Sequence, residues 1–215
     1  MINVESLPFN SFQVNCYAVW DETGECLVID PCFYSKDEER IFEDFLSDNR
    51  LKITGQVNTH CHVDHVLGVG YLKSRYNLPF RAHREESPLV PNIPLMGDMF
   101  GFSVEPLEGI DTYIEDGEKI RVGNHELQAM LVPGHSPGSL AFYSPEGGFV
   151  VTGDALFAGS IGRTDLPGGD HDTLMRSIRE RLMVLPPATI VYPGHGPSSA
   201  IARESAQNPF LNMPQ

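Results

Sequence analysis

Residues 58–65 read NTHCHVDH and place three histidines and one aspartate within six consecutive positions. Where this segment is extended, His60 and His62 alternate with other residues and point to the same side of the chain. Asp64 and His65 follow where the chain is expected to turn into a helix. Imidazole nitrogens and carboxylate oxygens bind divalent cations such as zinc. The segment offers ligands on two sides of the chain, which is more than a single tetrahedral ion can use. The pattern therefore indicates a metal site that can extend to two ions.

Three further candidate ligands stand beside glycine, each directly after a strand-like run. His135 lies in PGHSPG, Asp154 in TGDA and His195 in PGHGP. Glycine and proline at such places are typical of tight turns that hold a side chain beyond the edge of a sheet. The seven side chains match a dinuclear site with two triplets and a bridging carboxylate: His60, His62 and His135; Asp64, His65 and His195; and Asp154. The alternative is a set of core histidines satisfied by hydrogen bonds.

Strand and helix patterns fill two strand-rich halves of the chain. Alternating or apolar runs bounded by turn residues predict strands at 12–20, 25–31, 52–60, 79–83, 113–123, 125–133, 139–145, 148–154 and 188–196. Apolar residues at helical spacing predict helices at 37–49, 65–77 and 172–185. The last of these is capped by Asp170 or Asp172, with His171 at its start. Two sheets packed face to face with helices outside are the expected arrangement, followed by a short polar tail.

Residues 87–103 fit neither period, because three prolines interrupt a run rich in leucine, isoleucine, methionine and phenylalanine. Proline removes a backbone donor, so this segment is predicted to lack a regular element. Two interpretations stay open. The segment is either a loop packed on the core or on a neighbouring subunit, or an apolar lid beside the active site.

Length and composition predict one domain, residues 1–215, because 215 residues with 41% hydrophobic content can bury one sizeable core. A net charge of −14 without a clustered basic face argues against nucleic acid and against an anionic membrane surface. No secretory signal or membrane-spanning pattern is visible, so a cytoplasmic location is expected. There the four cysteines, Cys16, Cys26, Cys32 and Cys61, are expected to be free thiols. The isolated His83 and His125 are expected at the surface or in hydrogen bonds.

Between about residues 12 and 210 the ordered motifs THCHVDH, PGHSPGS, TGDALF, GRTD and YPGHG resemble those of the metallo-β-lactamase-fold hydrolases. Within that family the pattern is similar to the glyoxalase II (hydroxyacylglutathione hydrolase) branch without most of its C-terminal helical region. The resemblance implies an α/β fold, the metallo-β-lactamase-type αβ/βα four-layer sandwich, and the ligand assignment given above. It also implies that Asp30, in VIDPC, supports the loop that carries His60 and His65. Cys32 stands where this family usually has glycine.

The resemblance further implies a dinuclear-metal hydrolase of a small-molecule thioester, such as S-D-lactoylglutathione or a related acyl thiol. Two divalent ions about 3.5–4 Å apart, zinc or else iron or manganese, would hold a bridging water as hydroxide at neutral pH. Asp64 would both ligate and orient that hydroxide as the catalytic residue. Glutathione contacts are left open, because glyoxalase II enzymes supply them from the helical region. Arg163, in IGRTD, either binds a substrate carboxylate or pairs with Asp165.

Two other functions remain open at this point. Persulfide dioxygenases resemble the sequence in NTHCH-x-DH and GRTD and use one iron held by two histidines and an aspartate. His62, His135 and Asp154 would be the matching residues here. The non-enzymatic alternative is a metal-binding scaffold that has lost catalysis. The sequence pattern leaves the oligomeric state, the metal and the acyl group undetermined.

Overall fold

Two mixed β-sheets form the centre of the computed structural model, which describes residues 1–212. Within this range the strands of the two large sheets and of two small pairs run in chain order as follows: β1 (Asn3–Phe9), β2 (Val14–Trp20), β3 (Glu25–Ile29), β4 (Lys52–Val57), β5 (Arg81–Ala82), β6 (Thr112–Tyr113), β7 (Lys119–Val122), β8 (His125–Leu131), β9 (Leu140–Ser144), β10 (Phe149–Gly153), β11 (Leu156–Phe157), β12 (Ser160–Ile161), β13 (Ile190–Pro193) and β14 (Ser199–Ala200). The α-helices are α1 (Lys36–Asp48), α2 (Val63–Val66), α3 (Val69–Tyr76), α4 (Ile93–Phe100), α5 (His171–Ser177), α6 (Ile201–Gln207) and α7 (Pro209–Asn212).

The first sheet has the order β1-β2-β3-β4 and the second β14-β13-β10-β9-β8-β7. Neighbouring strands are antiparallel except for β3 with β4 and β10 with β13. These two parallel pairs need crossover connections, and α1 and α5 lie within them. The loops that follow β4, β10 and β13 therefore leave the sheets beside the parallel pairs.

The inner faces of the two sheets share one apolar layer. Tyr17 and Leu27 from the first sheet belong to the same buried cluster as Leu127 and Phe142 from the second. Because side chains alternate along a strand, neighbours of these residues point to the opposite face. Full burial of an apolar side chain of this size contributes about 1.5–3 kcal/mol to folding. The contact between the sheets is therefore a main source of stability.

Helices cover the outer faces. On the first sheet Ala18 lies in a cluster with Phe42 of α1. On the second sheet Val150 lies in a cluster with Leu174 and Ile178, from α5 and the turn that continues it. Helix, sheet, sheet and helix therefore follow one another as layers. The predicted αβ/βα four-layer sandwich is confirmed.

Local sequence signals account for several element boundaries. The helix predicted at 37–49 is α1, and Ser35 caps it in a reciprocal pair with Glu38. The helix predicted at 65–77 is divided into α2 and α3 at Gly68, where a Cβ atom would lie 2.8 Å from the Phe33 ring. The Gly68 amide donates to the Pro31 carbonyl, which ties the break to the loop after β3. Asn77 ends α3 in the left-handed conformation, at the predicted position.

The predicted helix at 172–185 is α5 followed by a wider π-type turn over Ile178–Leu182. Of the two predicted caps, Asp170 accepts the hydrogen bond, from the Thr173 amide at 2.8 Å. The predicted strand at 113–123 is divided into β6 and β7, because a turn at residues 115–118 pairs the Glu118 amide with the Glu115 carbonyl. The four cysteines are buried free thiols, as predicted.

The prediction that residues 87–103 lack a regular element is wrong. A short 3-10 helix, Val90–Asn92, leads into α4. Pro91 and Pro94 lie in the first turns of these helices, where a backbone N–H has no acceptor within the helix, so proline is tolerated there. Val90 and Ile93 anchor the segment in a buried cluster with Val63 and Val66 of α2.

Further elements, among them β1, β14, α6 and α7, are not predicted from the sequence. β1 is a half-exposed edge strand whose seven residues pair with β2, and its weak alternation and Pro8 conceal it. The expected polar tail instead forms β14, α6 and α7. Glu204 of α6 is buried and accepts hydrogen bonds from the Gly159 amide and the Asn208 side chain, both at 2.8 Å. These contacts hold α6 against the β11–β12 hairpin.

Candidate metal centre

The seven candidate ligands lie at one edge of the two sheets, five of them in loops that follow strands and Asp64 and His65 in α2. His60, His62, Asp64 and His65 follow β4 and continue into α2. The remaining three follow β8, β10 and β13 in turn: His135, Asp154 and His195. At Gly194 the loops approach so closely that a Cβ atom would lie 2.0 Å from Asp154 Oδ1. The glycine beside His195 therefore permits this edge to close.

His60, His62 and His135 form the three-histidine group, whose ligand atoms lie within 4.8 Å of one another. His135 Nε2 is 2.9 Å from His62 Nδ1 and 3.3 Å from His60 Nε2. Ligand atoms about 3.3 Å apart are what a tetrahedral ion with bonds of about 2.0–2.1 Å requires. The spacing of these nitrogens fits a shared cation.

Asp64, His65 and His195 form the mixed group, which also lies within 4.8 Å. Asp154 stands between the two groups. Its Oδ2 lies 3.6 Å from His135 Nε2 and 3.4 Å from His195 Nε2. The structure therefore brings all seven predicted ligands together, with Asp154 between the two groups.

Two buried atoms in the centre lack a hydrogen-bond partner among the described residues: His65 Nε2 and Asp154 Oδ1. They face each other across 3.4 Å. A buried polar atom without a partner is costly, so such atoms indicate a ligand that completes their coordination. A divalent cation fits both atoms, because one is an imidazole nitrogen and the other a carboxylate oxygen.

Hydrogen bonds outside the centre orient four of the five imidazoles. His135 Nδ1 donates to the Arg163 carbonyl at 2.8 Å, and His195 Nδ1 donates to the Phe12 carbonyl at 3.0 Å. Since a carbonyl only accepts, each ring carries a proton on Nδ1, and its Nε2 atom faces the centre as the atom that can ligate once it is unprotonated. Zinc-binding histidines in proteins are held in this way.

Asp30 orients the other two, in the position that the family resemblance implies. Its carboxylate is fully buried and accepts hydrogen bonds from His65 Nδ1 at 3.0 Å and from the Thr59 hydroxyl at 2.7 Å. Thr59 Oγ1 lies 3.0 Å from His60 Nδ1 and accepts its proton. Asp30 therefore supports one histidine of each group. The neighbouring Cys32 is buried, and burial raises the pKa of its thiol.

Glu86 is a buried carboxylate that the sequence analysis does not identify. It accepts hydrogen bonds from the Cys61 amide at 2.7 Å, the Ser136 hydroxyl at 2.7 Å and the Gly138 amide at 2.6 Å. Cys61 lies between two ligands of one loop, and Ser136 follows His135. Glu86 therefore joins the two loops that form the three-histidine group. Residues 83–87 read HREES, a polar stretch without a motif, so the sequence gives no signal that Glu86 is buried.

Charge differs between the two groups in the metal-free protein. Burial, with the neighbouring imidazoles, lowers the pKa of His60 well below its usual value and that of His62 to about 4. Burial also opposes protonation of His195, yet Asp154 and Asp64 raise its pKa to about 9. The pKa of His65 is raised well above its usual value by Asp154 and Asp64, again against burial. The three-histidine group is thus neutral at pH 7, and the mixed group holds protons where cations could bind.

A cavity of about 440 Å³ opens onto the candidate ligands and is bounded on one side by α4. Arg163 lines it, and its guanidinium forms two 2.7 Å hydrogen bonds with the carboxylate of Asp165. The predicted pairing with Asp165 is therefore present, whereas a substrate contact by Arg163 stays a prediction.

None of the helices in residues 1–212 combines the length and apolar character that crossing a bilayer needs.

A family profile described as "Metallo-beta-lactamase superfamily" matches residues 10–195. Among curated proteins, the chain is 33% identical to the probable metallo-hydrolase YqgX of Bacillus subtilis, covering 96% of each chain. It is 34% identical to the hydroxyacylglutathione hydrolase GloC of Haemophilus influenzae, over 98% of this chain and 99% of that protein. It is 31% identical to human mitochondrial persulfide dioxygenase ETHE1, over 89% of this chain and 68% of that protein.

Solved structures also superpose on the chain over almost its full length. The BLEG-1 B3 metallo-beta-lactamase superposes with a TM-score of 0.88 at 30% identity, covering 99% of this chain and all of that one (100%). TTHA1623 in a di-iron-bound form superposes with a TM-score of 0.85 at 36% identity, covering 97% and 100%. The chain belongs to the metallo-beta-lactamase superfamily.

Proposed function

We propose that this member of the metallo-beta-lactamase superfamily is a dinuclear-metal hydrolase of thioesters, such as S-D-lactoylglutathione or a related acyl thiol. The observation that carries the proposal is the arrangement of the two ligand groups around Asp154. Its Oδ1 and His65 Nε2 are buried without hydrogen-bond partners and lie 3.4 Å apart. A single ion in the three-histidine group would leave this second pair unsatisfied.

Two divalent cations held by these groups would supply the positive charge that acidifies water and polarises a carbonyl. Asp64 is the protein group placed to orient the water and accept its proton. Before cations bind, burial opposes ionisation of Asp64 but the neighbouring His65 and His195 lower its pKa. Bound cations would replace the histidine protons and keep the carboxylate charged. Asp64 Oδ2 lies 3.5 Å from His195 Nε2, at the wall of the cavity.

In this reaction the oxygen of water forms a bond to the carbonyl carbon, and the carbon–sulfur bond breaks. The sulfur leaves as a thiolate and takes up a proton, and the acyl group leaves as a carboxylate. A thiolate is a good leaving group, so the chain does not need a strong general acid to complete the step. The similarity to a hydroxyacylglutathione hydrolase over almost the full length of both chains supports a thioester as the substrate class.

Persulfide dioxygenation by one iron is the second candidate, and the similarity to ETHE1 favours it. The corresponding ligands His62, His135 and Asp154 are close enough for one ion, since His135 Nε2 is 2.9 Å from His62 Nδ1 and 3.6 Å from Asp154 Oδ2. This candidate leaves His195 without a ligand role. We therefore rank it below the hydrolase.

The deciding experiment combines metal analysis of the purified protein with two activity assays. About two equivalents of zinc, iron or manganese per chain and hydrolysis of S-D-lactoylglutathione or of a simpler acyl thioester are expected. One equivalent of iron with oxygen consumption on glutathione persulfide, and without thioester hydrolysis, would instead establish the dioxygenase. Metal binding with neither reaction would indicate the scaffold without catalysis.

A further inference from the structure

The part of the active-site cavity wall that the candidate ligands do not form is mostly apolar. α4, the segment before it and two loops contribute this surface: Phe12, Leu89, Ile93, Met96, Phe100 and Leu166. At about 440 Å³ the cavity lies within the range of about 300–1,000 Å³ that small-molecule sites occupy. It is larger than a lactoyl group alone requires.

Charge is scarce on the same surface. Apart from the candidate ligands, Arg163 is the one charged side chain among the described residues that line the cavity. Its guanidinium is already engaged by both carboxylate oxygens of Asp165. A substrate carboxylate would therefore have to displace Asp165 or enter without a cationic partner, and transferring an unpaired charge into such a site is costly.

The apolar wall is connected to the metal centre through Phe12. Its backbone carbonyl accepts the proton of His195 Nδ1 at 3.0 Å, while its ring packs edge-on against Phe100 at 5.6 Å. Both rings stay partly open, with 42% of Phe12 and 39% of Phe100 exposed. Apolar area at the mouth of the site thus remains available to a ligand.

We propose that this cavity receives an uncharged, apolar arm of the substrate, so that the preferred thioesters carry an aliphatic or aromatic group and not the two carboxylates of glutathione. The inference rests on the proposed function, because it takes the reacting carbonyl to lie beside Asp154 and His135. The arm can belong to the acyl group or to the thiol, since either side of the carbonyl could face α4. Of the two interpretations of residues 87–103, the apolar wall beside the active site is the one this arrangement favours.

The test uses the metal-loaded protein and two series of synthetic thioesters. In the first, the acyl chain grows from acetyl to hexanoyl on N-acetylcysteamine; in the second, the acetyl group is kept and the thiol grows from ethanethiol to hexanethiol. S-D-lactoylglutathione is measured beside them. Each methylene buried in the cavity is expected to raise kcat/KM about fourfold. In one of the two series kcat/KM should therefore rise by about two orders of magnitude. The series that rises shows whether the apolar arm belongs to the acyl group or to the thiol.

A matched pair of variants on α4 locates the effect. Met96 lines the cavity, whereas Met99 on the same helix is 70% exposed and does not. Met96→Gln keeps the side-chain length but adds an amide, and it is expected to reduce the chain-length gain by about tenfold. Met99→Gln should keep the gain of the unchanged protein. Metal content and the thermal midpoint of both variants show whether each has folded.

Binding of the products to the metal-loaded protein gives a readout that does not depend on turnover. If the acyl series rises, hexanoate should bind more tightly than acetate in the unchanged protein and lose that advantage in Met96→Gln; if the thiol series rises, hexanethiol should show the same advantage over ethanethiol. Hydrolysis with flat dependence in both series, or with S-D-lactoylglutathione as the best substrate, overturns the apolar arm and leaves the proposed function standing. Hexanoate binding that depends on Met96, without hydrolysis of any thioester, supports the cavity assignment and overturns the proposed function.

Discussion

The three-histidine group and the mixed group lie side by side around Asp154 but differ in charge. Burial does not separate them, because His65 of the mixed group is as deeply buried as His60 and His135. The three-histidine group consists of neutral donors whose pKa values burial lowers. In the mixed group, carboxylates raise the pKa values of His65 and His195. The first group is therefore ready for a cation at pH 7, whereas the second exchanges protons for one.

This difference in charge predicts different metal-binding behaviour for the two groups. The neutral three-histidine group can take up a cation without releasing protons, whereas the mixed group must first give up its protons. Both groups border the cavity, the first through His62 and His135 and the second through Asp64 and His195. Charge thus distinguishes two halves of one centre that the motif at residues 58–65 does not separate.

Replacing the shared carboxylate should have the largest effect, because both groups depend on it. Asp154→Asn is expected to lose at least one equivalent of metal and to reduce kcat/KM for a thioester by about 10³-fold, since several kcal/mol of transition-state stabilisation depend on the bound charge. Metal analysis and steady-state kinetics measure this, with Asp172→Asn in the exposed first turn of α5 as the control. Two retained equivalents with activity within tenfold would show that Asp154 does not join the groups.

Replacing Asp30 or Glu86, the two carboxylates that hold the ligand loops, should have a smaller effect and should affect the two metal ions differently. Asp30 contacts His65 directly and His60 through Thr59, so Asp30→Asn should weaken both ions. Glu86 accepts from the Cys61 amide, between His60 and His62, and from the Gly138 amide, just beyond His135, so Glu86→Gln should weaken the ion of the three-histidine group more than the other. Outer hydrogen-bond partners of metal ligands are worth about 10–100-fold in affinity. Chelator competition measures both ions.

Glu85→Gln is the matched control for Glu86→Gln, because Glu85 is exposed in the same 3-10 helix. Equal loss of both ions in Glu86→Gln would mean that its role is general to the fold and not specific to one group. A melting temperature close to that of the unchanged protein distinguishes loss of positioning from loss of folding.

Proton release on metal binding should show the charge difference directly. At pH 7 a His62 with a pKa of about 4 is already unprotonated, so the first ion should release almost no protons. A His195 with a pKa of about 9 is protonated at pH 7 and must give up its proton to ligate, as must His65. The second ion should therefore release one to two protons, and its affinity should fall as the pH falls below about 9. Calorimetric titration in two buffers of different ionisation enthalpy measures both numbers, and equal release in the two steps would contradict the comparison.

Arg163 should have the smallest effect. More than half of its side chain is exposed, at 57%, and its partner Asp165 is 68% exposed. Exposed ion pairs contribute about 0.2–1 kcal/mol, so Arg163→Gln should change kcat/KM for an uncharged thioester less than about fivefold. The same variant tested on S-D-lactoylglutathione checks whether Arg163 contacts a substrate carboxylate. If it does, kcat/KM for this substrate should fall more than tenfold.

Several elements of the fold could not be predicted from the sequence, and each has its own physical reason. β1 is a half-exposed edge strand that contains Pro8 and buries little apolar surface, so its pattern is weak, whereas six of the seven residues of β2 are buried. α4 has prolines at its start, which a simple rule treats as helix-breaking although the first turn tolerates them. The tail becomes α6 because Ile201 and Glu204 are buried against distant residues. In each case long-range contacts outweigh a weak local pattern.

The amino-acid sequence by itself determined the identity of the seven candidate ligands, the strand–loop placement of each one and the layered fold, because these depend on side-chain chemistry and on local periodicity. Only the tertiary structure decided which ligands face one another, how burial and carboxylates shift their pKa values, and which residues hold them. Glu86 and the apolar wall formed by α4 belong to this second class. Distances, electric fields and cavities arise between segments far apart in the chain, so no stretch of sequence contains them.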